Sequence, residues 1–378
     1  MYANRIHLVS SENGVGVNLG NLNARQGDMV LDAQGRLSIN NSLTSGNLTA
    51  RGSSIALQGE HKAGGNVALT AQQEIALTGA KLGSDASLDL NSQGQITLKG
   101  SSLTAGQSAR LSSGALSIDK NSSGNAADRM QLSATSLLQN EGQLTATKQL
   151  DIQAAQVVNR GSLTSHGEAK LRSNSLQQQG MLLSEGTNTV VIAGNLSNSG
   201  EISGSSLNVQ GDTIDNSGRL LSASDALITA KSLQQRGTLS ASSKNQLNVT
   251  GALNNSGEIS GGSLNVQGDT IDNSGRLLSA GDALITASHV RQRGILSATN
   301  RNQLNVASEL NNSGELSGSS LAIHSGSLLN SGSLLGSQEA DITSGSLQQD
   351  GTLSSQGRVQ LNVADRLSNS GELSAGRL

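Results

Sequence analysis

The chain has 378 residues, a net charge of −3 and 14% charged residues; it contains no Phe, Trp, Pro or Cys, and its one aromatic side chain is Tyr2. So weak a charge balance excludes the basic face that nucleic-acid binding requires and, with no proline, argues against disorder. Hydrophobic residues make up 34%, against 46 glycines, so a core is possible only if the aliphatic side chains are spaced regularly.

Residues 1–45 alternate strand-like and turn-like stretches without the register of the later chain, and are read as a separate, less regular section. Met1–Ser10 lacks a charged segment followed by an apolar one, so it does not read as a signal peptide. No run of about 18 apolar residues occurs anywhere that could span a bilayer.

Over residues 46–134 a loose ruler appears. Ile55, Ile75, Ile96 and Leu116 follow at steps of 20, 21 and 20, tracked two residues later by Leu57, Leu77, Leu98 and Ile118. The stretch 119–131, DKNSSGNAADRMQ, is polar and reads as a loop or an irregular corner.

Residues 135–378 are regular. Glycines preceded by a polar pair stand at 142, 161, 180, 200, 218, 237, 257, 275, 294, 314, 332, 351 and 371, in steps of 18 to 20. Gly200, Gly257, Gly314 and Gly371 are 57 apart, so three coils form one super-repeat; residues 201–230 and 258–287 differ only at Ser205/Gly262 and Ser224/Gly281. Two residues after each glycine stands Leu or Ile, and four before it another aliphatic residue. Between them lie alternating pairs such as Leu207/Val209, Leu247/Val249, Leu264/Val266, Leu304/Val306 and Leu361/Val363. A period of two marks strands. The corners are rich in Gly, Asn and Ser, which tolerate left-handed backbone or bond to their own main chain. A single coil cannot bury its aliphatic side, but a stack of coils can. The pattern predicts an all-β chain, a right-handed parallel β-helix of about 19–21 residues per coil, with Asn198, Asn216, Asn255, Asn273, Asn312, Asn330 and Asn369 forming a corner ladder. A leucine-rich-repeat fold would need helical return legs, for which Ser, Gly, Asn and Thr are poor material.

Little in the chain points to chemistry. Asp212 and Asp215 recur as Asp269 and Asp272, but three coils apart, too far to share a proton or ion, and they read as solvated corner residues. His7, His61, His166, His289 and His324 occupy unrelated phases of the repeat and read as exposed side chains. No catalytic residue, metal ligand or cofactor is assigned. If a partner is gripped, residues 1–45 and 119–131, where the pattern breaks, are the places to look. The open strand edges of terminal coils imply possible end-to-end self-association.

Residues 6–52, IHLVSSENGVGVNLGNLNARQGDMVLDAQGRLSINNSLTSGNLTARG, resemble the end of the secretion domain of two-partner-secretion exoproteins. The pattern NNSGEISGGSLNVQGDTIDNSGRLLSA is similar to the repeats of filamentous haemagglutinin and of CdiA-type contact-dependent inhibition proteins. The resemblance implies a fragment of a large bacterial surface protein, secreted through an outer-membrane two-partner-secretion transporter and acting at a target or host cell surface. The leading reading is a rigid, non-enzymatic stalk; the alternatives are that the segment itself binds a receptor or glycan, or that it is a carbohydrate-active β-helix enzyme, and the near-absence of aromatic side chains weighs against both for sugars.

Overall fold

The computed structural model describes residues 1–12 and 14–377. Among these are thirty-seven strands and no helix, which excludes the leucine-rich alternative. The chain divides into two compact units, Met1–Ile192 and Ala193–Leu378. Each is a parallel β-solenoid in which a residue lies beside its equivalent one coil later.

In the first unit one inward column runs Val17, Leu37, Ile55, Ile75, Ile96, Leu116, Leu138, Val157, Leu176. The opening section is therefore in register with the rest. Its coils vary in length, so a fixed period does not reveal them. A second column runs Leu19, Ile39, Leu57, Leu77, Leu98, Ile118 and then changes chemistry to Asn140, Asn159, Gln178. The stretch 119–131 is no loop. It contains one tight turn, in which Asp119 Oδ1 accepts from Ser122 Oγ at 2.6 Å and from the N–H of Asn121 at 3.2 Å. The strand Ser123–Ala126 then returns to the stack beside Ser102–Ala105.

In the second unit the two aliphatic positions of the ruler form unbroken columns. Ile202, Leu220, Leu239, Ile259, Leu277, Leu296, Leu316, Leu334 and Leu353 are buried on one side. The column from Leu196 to Leu347 is buried on the other. Each such side chain contributes about 1.5–3 kcal/mol. In the last described coil Leu361 and Val363 are half-buried and Leu367 is 54% exposed.

The alternating pairs do not all share one column. Leu247 stacks between Ile228 and Val266, and Asn245 takes the inward place between Ala226 and Leu264. Asn302 does the same between Ala283 and Leu321. Each lies in a 20-residue coil, and the register slips between Ala241 and Lys244 to absorb the extra residue.

One corner expectation changes and one holds. The ruler glycines are not left-handed: among the described residues positive φ occurs only at Gly14, Gly59, Gly79 and Gly100. They are needed for close approach instead. A Cβ on Gly161, Gly218 or Gly275 would come within 3.0 Å of the carbonyl oxygen of the glycine one coil below. The asparagines form the expected ladder, with Asn198, Asn255 and Asn312 each donating to the asparagine one coil on, and it is buried. Asn216, Asn273, Asn312 and Asn330 are at most 1% exposed, and Asn369 alone, in the last described coil, is exposed. The amide column includes Gln235, Gln292 and Gln349, which complete every third rung. Buried amides need partners, and the ladder supplies them in groups of three coils.

Candidate interaction surface

The outer face of the first unit carries a hollow of about 580 Å³. Two neighbouring outward columns line it, and the buried residues Leu22, Ser42, His61 and Leu82 between them form its floor. One runs Tyr2, Asn23, Leu43, Lys62, Gly83, Thr104; the other runs Asn21, Asn41, Glu60, Lys81, Ser102. Asn41 Nδ2 donates to Asn21 Oδ1 at 2.8 Å, and the Arg25 guanidinium stands 6.0 Å from the Tyr2 ring. Leu43 is 48% exposed and Tyr2 68%. The lining mixes amides, hydroxyls, both signs of charge and a little apolar surface. Half of it comes from residues 1–43, inside the section where the sequence pattern pointed. The other half, residues 60–62, 81–83 and 102–104, is brought alongside by coil stacking alone.

Beneath this face lies a buried polar pair that the sequence pattern does not reveal. The inward column here runs Leu22, Ser42, His61, Leu82, Leu103. Ser42 and His61 are 3% and 1% exposed. Ser42 Oγ is 2.9 Å from His61 Nδ1, and His61 Nε2 is 2.8 Å from the carbonyl oxygen of Gln58. A carbonyl can only accept, so Nε2 carries the proton and Nδ1 accepts from the serine hydroxyl. Burial holds the imidazole below its ordinary value near 6.5, against the opposing bond to Gln58. His61 is thus not the exposed side chain expected. The signal was its phase, since it stands where Leu82 and Leu103 stand one and two coils later.

The other candidates stay at the surface. His166 Nδ1 is 2.8 Å from Glu185, both exposed, and His7, His289 and His324 are exposed. Lys231 Nζ donates to Asp212 at 2.8 Å, Arg236 to Asp215 at 2.6 Å and Arg293 to Asp272 at 2.6 Å. Ser288 stands where a lysine would face Asp269. These carboxylates therefore bridge successive coils, and no group of three or more His, Cys, Asp or Glu among the described residues could hold a metal ion.

The stacked coils of 18 to 23 residues coincide with a known pattern. The haemagglutinin repeat matches residues 1–52, 103–200, 171–257, 227–288, 278–345 and 335–378. The chain belongs to the haemagglutinin-repeat family. As a haemagglutinin-repeat chain it is 35% identical over 317 residues to the 16S rRNA endonuclease CdiA of Enterobacter cloacae, covering 73% of this chain and 10% of that protein. It is 49% identical over 180 residues to the tRNA nuclease CdiA of Escherichia coli strain NC101, covering 48% of this chain and 6% of the relative. With the tRNA nuclease CdiA-2 of Burkholderia pseudomallei it shares 66% of 38 residues, 10% of this chain and 1% of that one. The chain thus spans a tenth or less of the length of these relatives. No solved structure matches it.

Proposed function

We propose that this haemagglutinin-repeat chain is a non-enzymatic stalk segment of a large secreted surface protein of the adhesin or contact-dependent inhibition kind. One observation carries the reading: in the second unit the aliphatic columns continue unbroken from coil to coil, and the buried amide bonds between coils repeat every three coils. Such a stack gains length by repetition and not by new contacts, about 4.8 Å per coil. The alignment with a small fraction of long CdiA proteins supports the same reading. Export through an outer-membrane two-partner-secretion transporter and contact with a target or host cell belong to the parent protein under this proposal.

The test is to insert four extra copies of the 57-residue super-repeat in register into the parent. Twelve added coils should extend its projection from the cell by about 60 Å, read by cryo-electron tomography. An unchanged projection from a well-exported variant overturns the stalk reading. The hollow on the first unit favours a second reading, that the segment itself contacts a receptor or glycan. Saturable binding of the isolated chain to target cells, lost on Lys81→Glu, would replace the stalk reading with that one.

A further inference from the structure

We propose that the Ser42–His61 pair makes the coils of the first unit acid-labile, so that a fall in pH opens the stack locally around strands Arg36–Thr44, Leu48–Ala63 and Val67–Ser84.

The geometry is that of a neutral ring fixed in an aliphatic column. Above and below the Ser42–His61 rungs lie Leu22 and Leu82, buried like the ring itself. Among the described residues His61 is the only ionisable side chain in the buried interior. The ionised groups near it all lie on the outer face and are exposed. Glu60 and Lys62 flank it on its own strand, and Lys81 flanks Leu82 on the next. Lys62 is engaged with Asp85 at 3.8 Å. On the strand Arg36–Thr44 the neighbours of Ser42 are Asn41 and Leu43, neither charged, and on Val17–Ala24 those of Leu22 are Asn21 and Asn23. No carboxylate is therefore positioned to neutralise an imidazolium.

The ring also holds a corner. Gly59, between Gln58 and Glu60, is in the left-handed region at φ 74, and His61 Nε2–H ties back to the Gln58 carbonyl across it. Protonation of Nδ1 converts that atom from acceptor to donor. The Ser42 hydroxyl must then turn round to accept, and its own hydrogen points into the aliphatic column with no partner. A charge and a lost hydrogen bond arrive together in a dry interior, and both penalties favour an open coil in which the ring meets water.

The direction follows from linkage. The folded ring binds its proton more weakly than the open one, so the open form holds more protons and gains population as pH falls. Stability from this site is intact above the open-state value near 6.5 and is lost as pH falls from there toward the lower folded-state value. Within that window local opening should rise about tenfold per pH unit.

The experiment is hydrogen exchange on the whole chain between pH 7.5 and 4.5, corrected for intrinsic exchange. Excess opening in residues 36–84 at acid pH, compared with the coils of the second unit, is the expected result. His61→Leu restores the residue type of Leu22, Leu82 and Leu103 in that column, and should remove the excess while keeping the neutral-pH protection. His61→Gln, uncharged at every pH, should also give a flat profile even if its protection is lower throughout. Equal acid opening in wild type and both variants, or a wild-type profile that does not change with pH, would overturn the proposal.

Discussion

The side-chain amide of Asn273 donates to Gln292 Oε1 at 2.9 Å, whereas the amide of Gln292 bypasses the next rung and donates to the main-chain carbonyl of Glu315 at 3.2 Å. The amide column is therefore a series of three-rung ladders, not one continuous one. Asn255 joins Asn273 at 2.7 Å and Asn312 joins Asn330 at 2.7 Å, and Gln235 turns to Glu258 as Gln292 does to Glu315. The heads of these ladders, Asn255 and Asn312, keep an Oδ1 without a hydrogen-bond partner. The 57-residue period of the sequence is thus a period in hydrogen bonding.

Asn273→Ala should cost on the order of 2–4 kcal/mol locally, because it strands one N–H of the Asn255 amide, whose other N–H stays on the Arg276 carbonyl, and leaves Gln292 Oε1 and the Ile295 carbonyl without their donor. Repeat stacks unfold in parts, so the measurement is hydrogen exchange over residues 253–296. Protection equal to wild type there would mean that the ladder contributes nothing.

Gly275→Ala tests whether the ruler glycines serve close approach. Its backbone is not left-handed, so alanine brings no torsional penalty. The new methyl would, however, collide with the carbonyl of Gly257. Overpacking of this kind costs about 1–3 kcal/mol. A substitution that proves neutral in urea unfolding would return the explanation to the corner chemistry of glycine.

Most of the architecture was legible because like stacks on like. A Leu or Ile two residues past each glycine has to be inward if its neighbours one coil away are, and Leu239 and Ile259, at 0% exposure, sit directly side by side. What was not legible depended on three-dimensional approach. The glycine column fails to show φ in its spelling, and Asn, usually a turn residue, gives no sign that it is buried until its equivalents are seen to donate to one another. The hollow on the first unit was legible only as an irregularity of residues 1–45, because coils of 18 to 23 residues bring Glu60, Lys81 and Thr104 beside Tyr2 without any shared motif. His61 was hidden by its rarity. One histidine in a leucine phase looks like noise in a repeat until the column is drawn.

Ile259→Asp and Leu239→Asp should each open the second unit locally, with a loss of several kcal/mol, since an unpaired carboxylate would enter a dry column. Circular dichroism melts and exchange profiles report it. Melts indistinguishable from wild type would remove the inward assignment of the whole column.

Asp212→Asn and Asp272→Asn break exposed inter-coil ion pairs with Lys231 and Arg293. Such pairs are worth about 0–1 kcal/mol and are screened by salt. Both variants should keep the wild-type urea midpoint within that range, more closely still in 0.5 M salt (about a 4 Å screening length). A large loss would mean that these carboxylates hold the coils together after all.

The three-rung ladder makes a sharper demand on register. Deleting 258–314 removes one super-repeat and joins Gly257 to Glu315, which occupies the place of Glu258 in every respect: Asn330 then follows Asn255 as Asn273 did, Leu316 follows Leu239 as Ile259 did, and the exchange profile of the flanking coils should be unchanged. Deleting 276–294 also removes one whole coil, of 19 residues, and leaves the glycine ruler intact. It places Asn273 opposite Asn312 across a 20-residue coil, a step that elsewhere in the second unit is always spanned by a glutamine reaching for main chain, as Gln235 and Gln292 do. Asparagines in this column donate both to the next amide and to main chain one coil on, as Asn273 does to Gln292 and Ile295, so the new step puts the amide-to-amide bond at risk, at the cost of one buried unpaired donor, about 1–3 kcal/mol. The larger deletion should therefore be the milder one. If the two deletions prove equally stable, coil number alone sets the fold and the grouping in threes is only a trace of duplication.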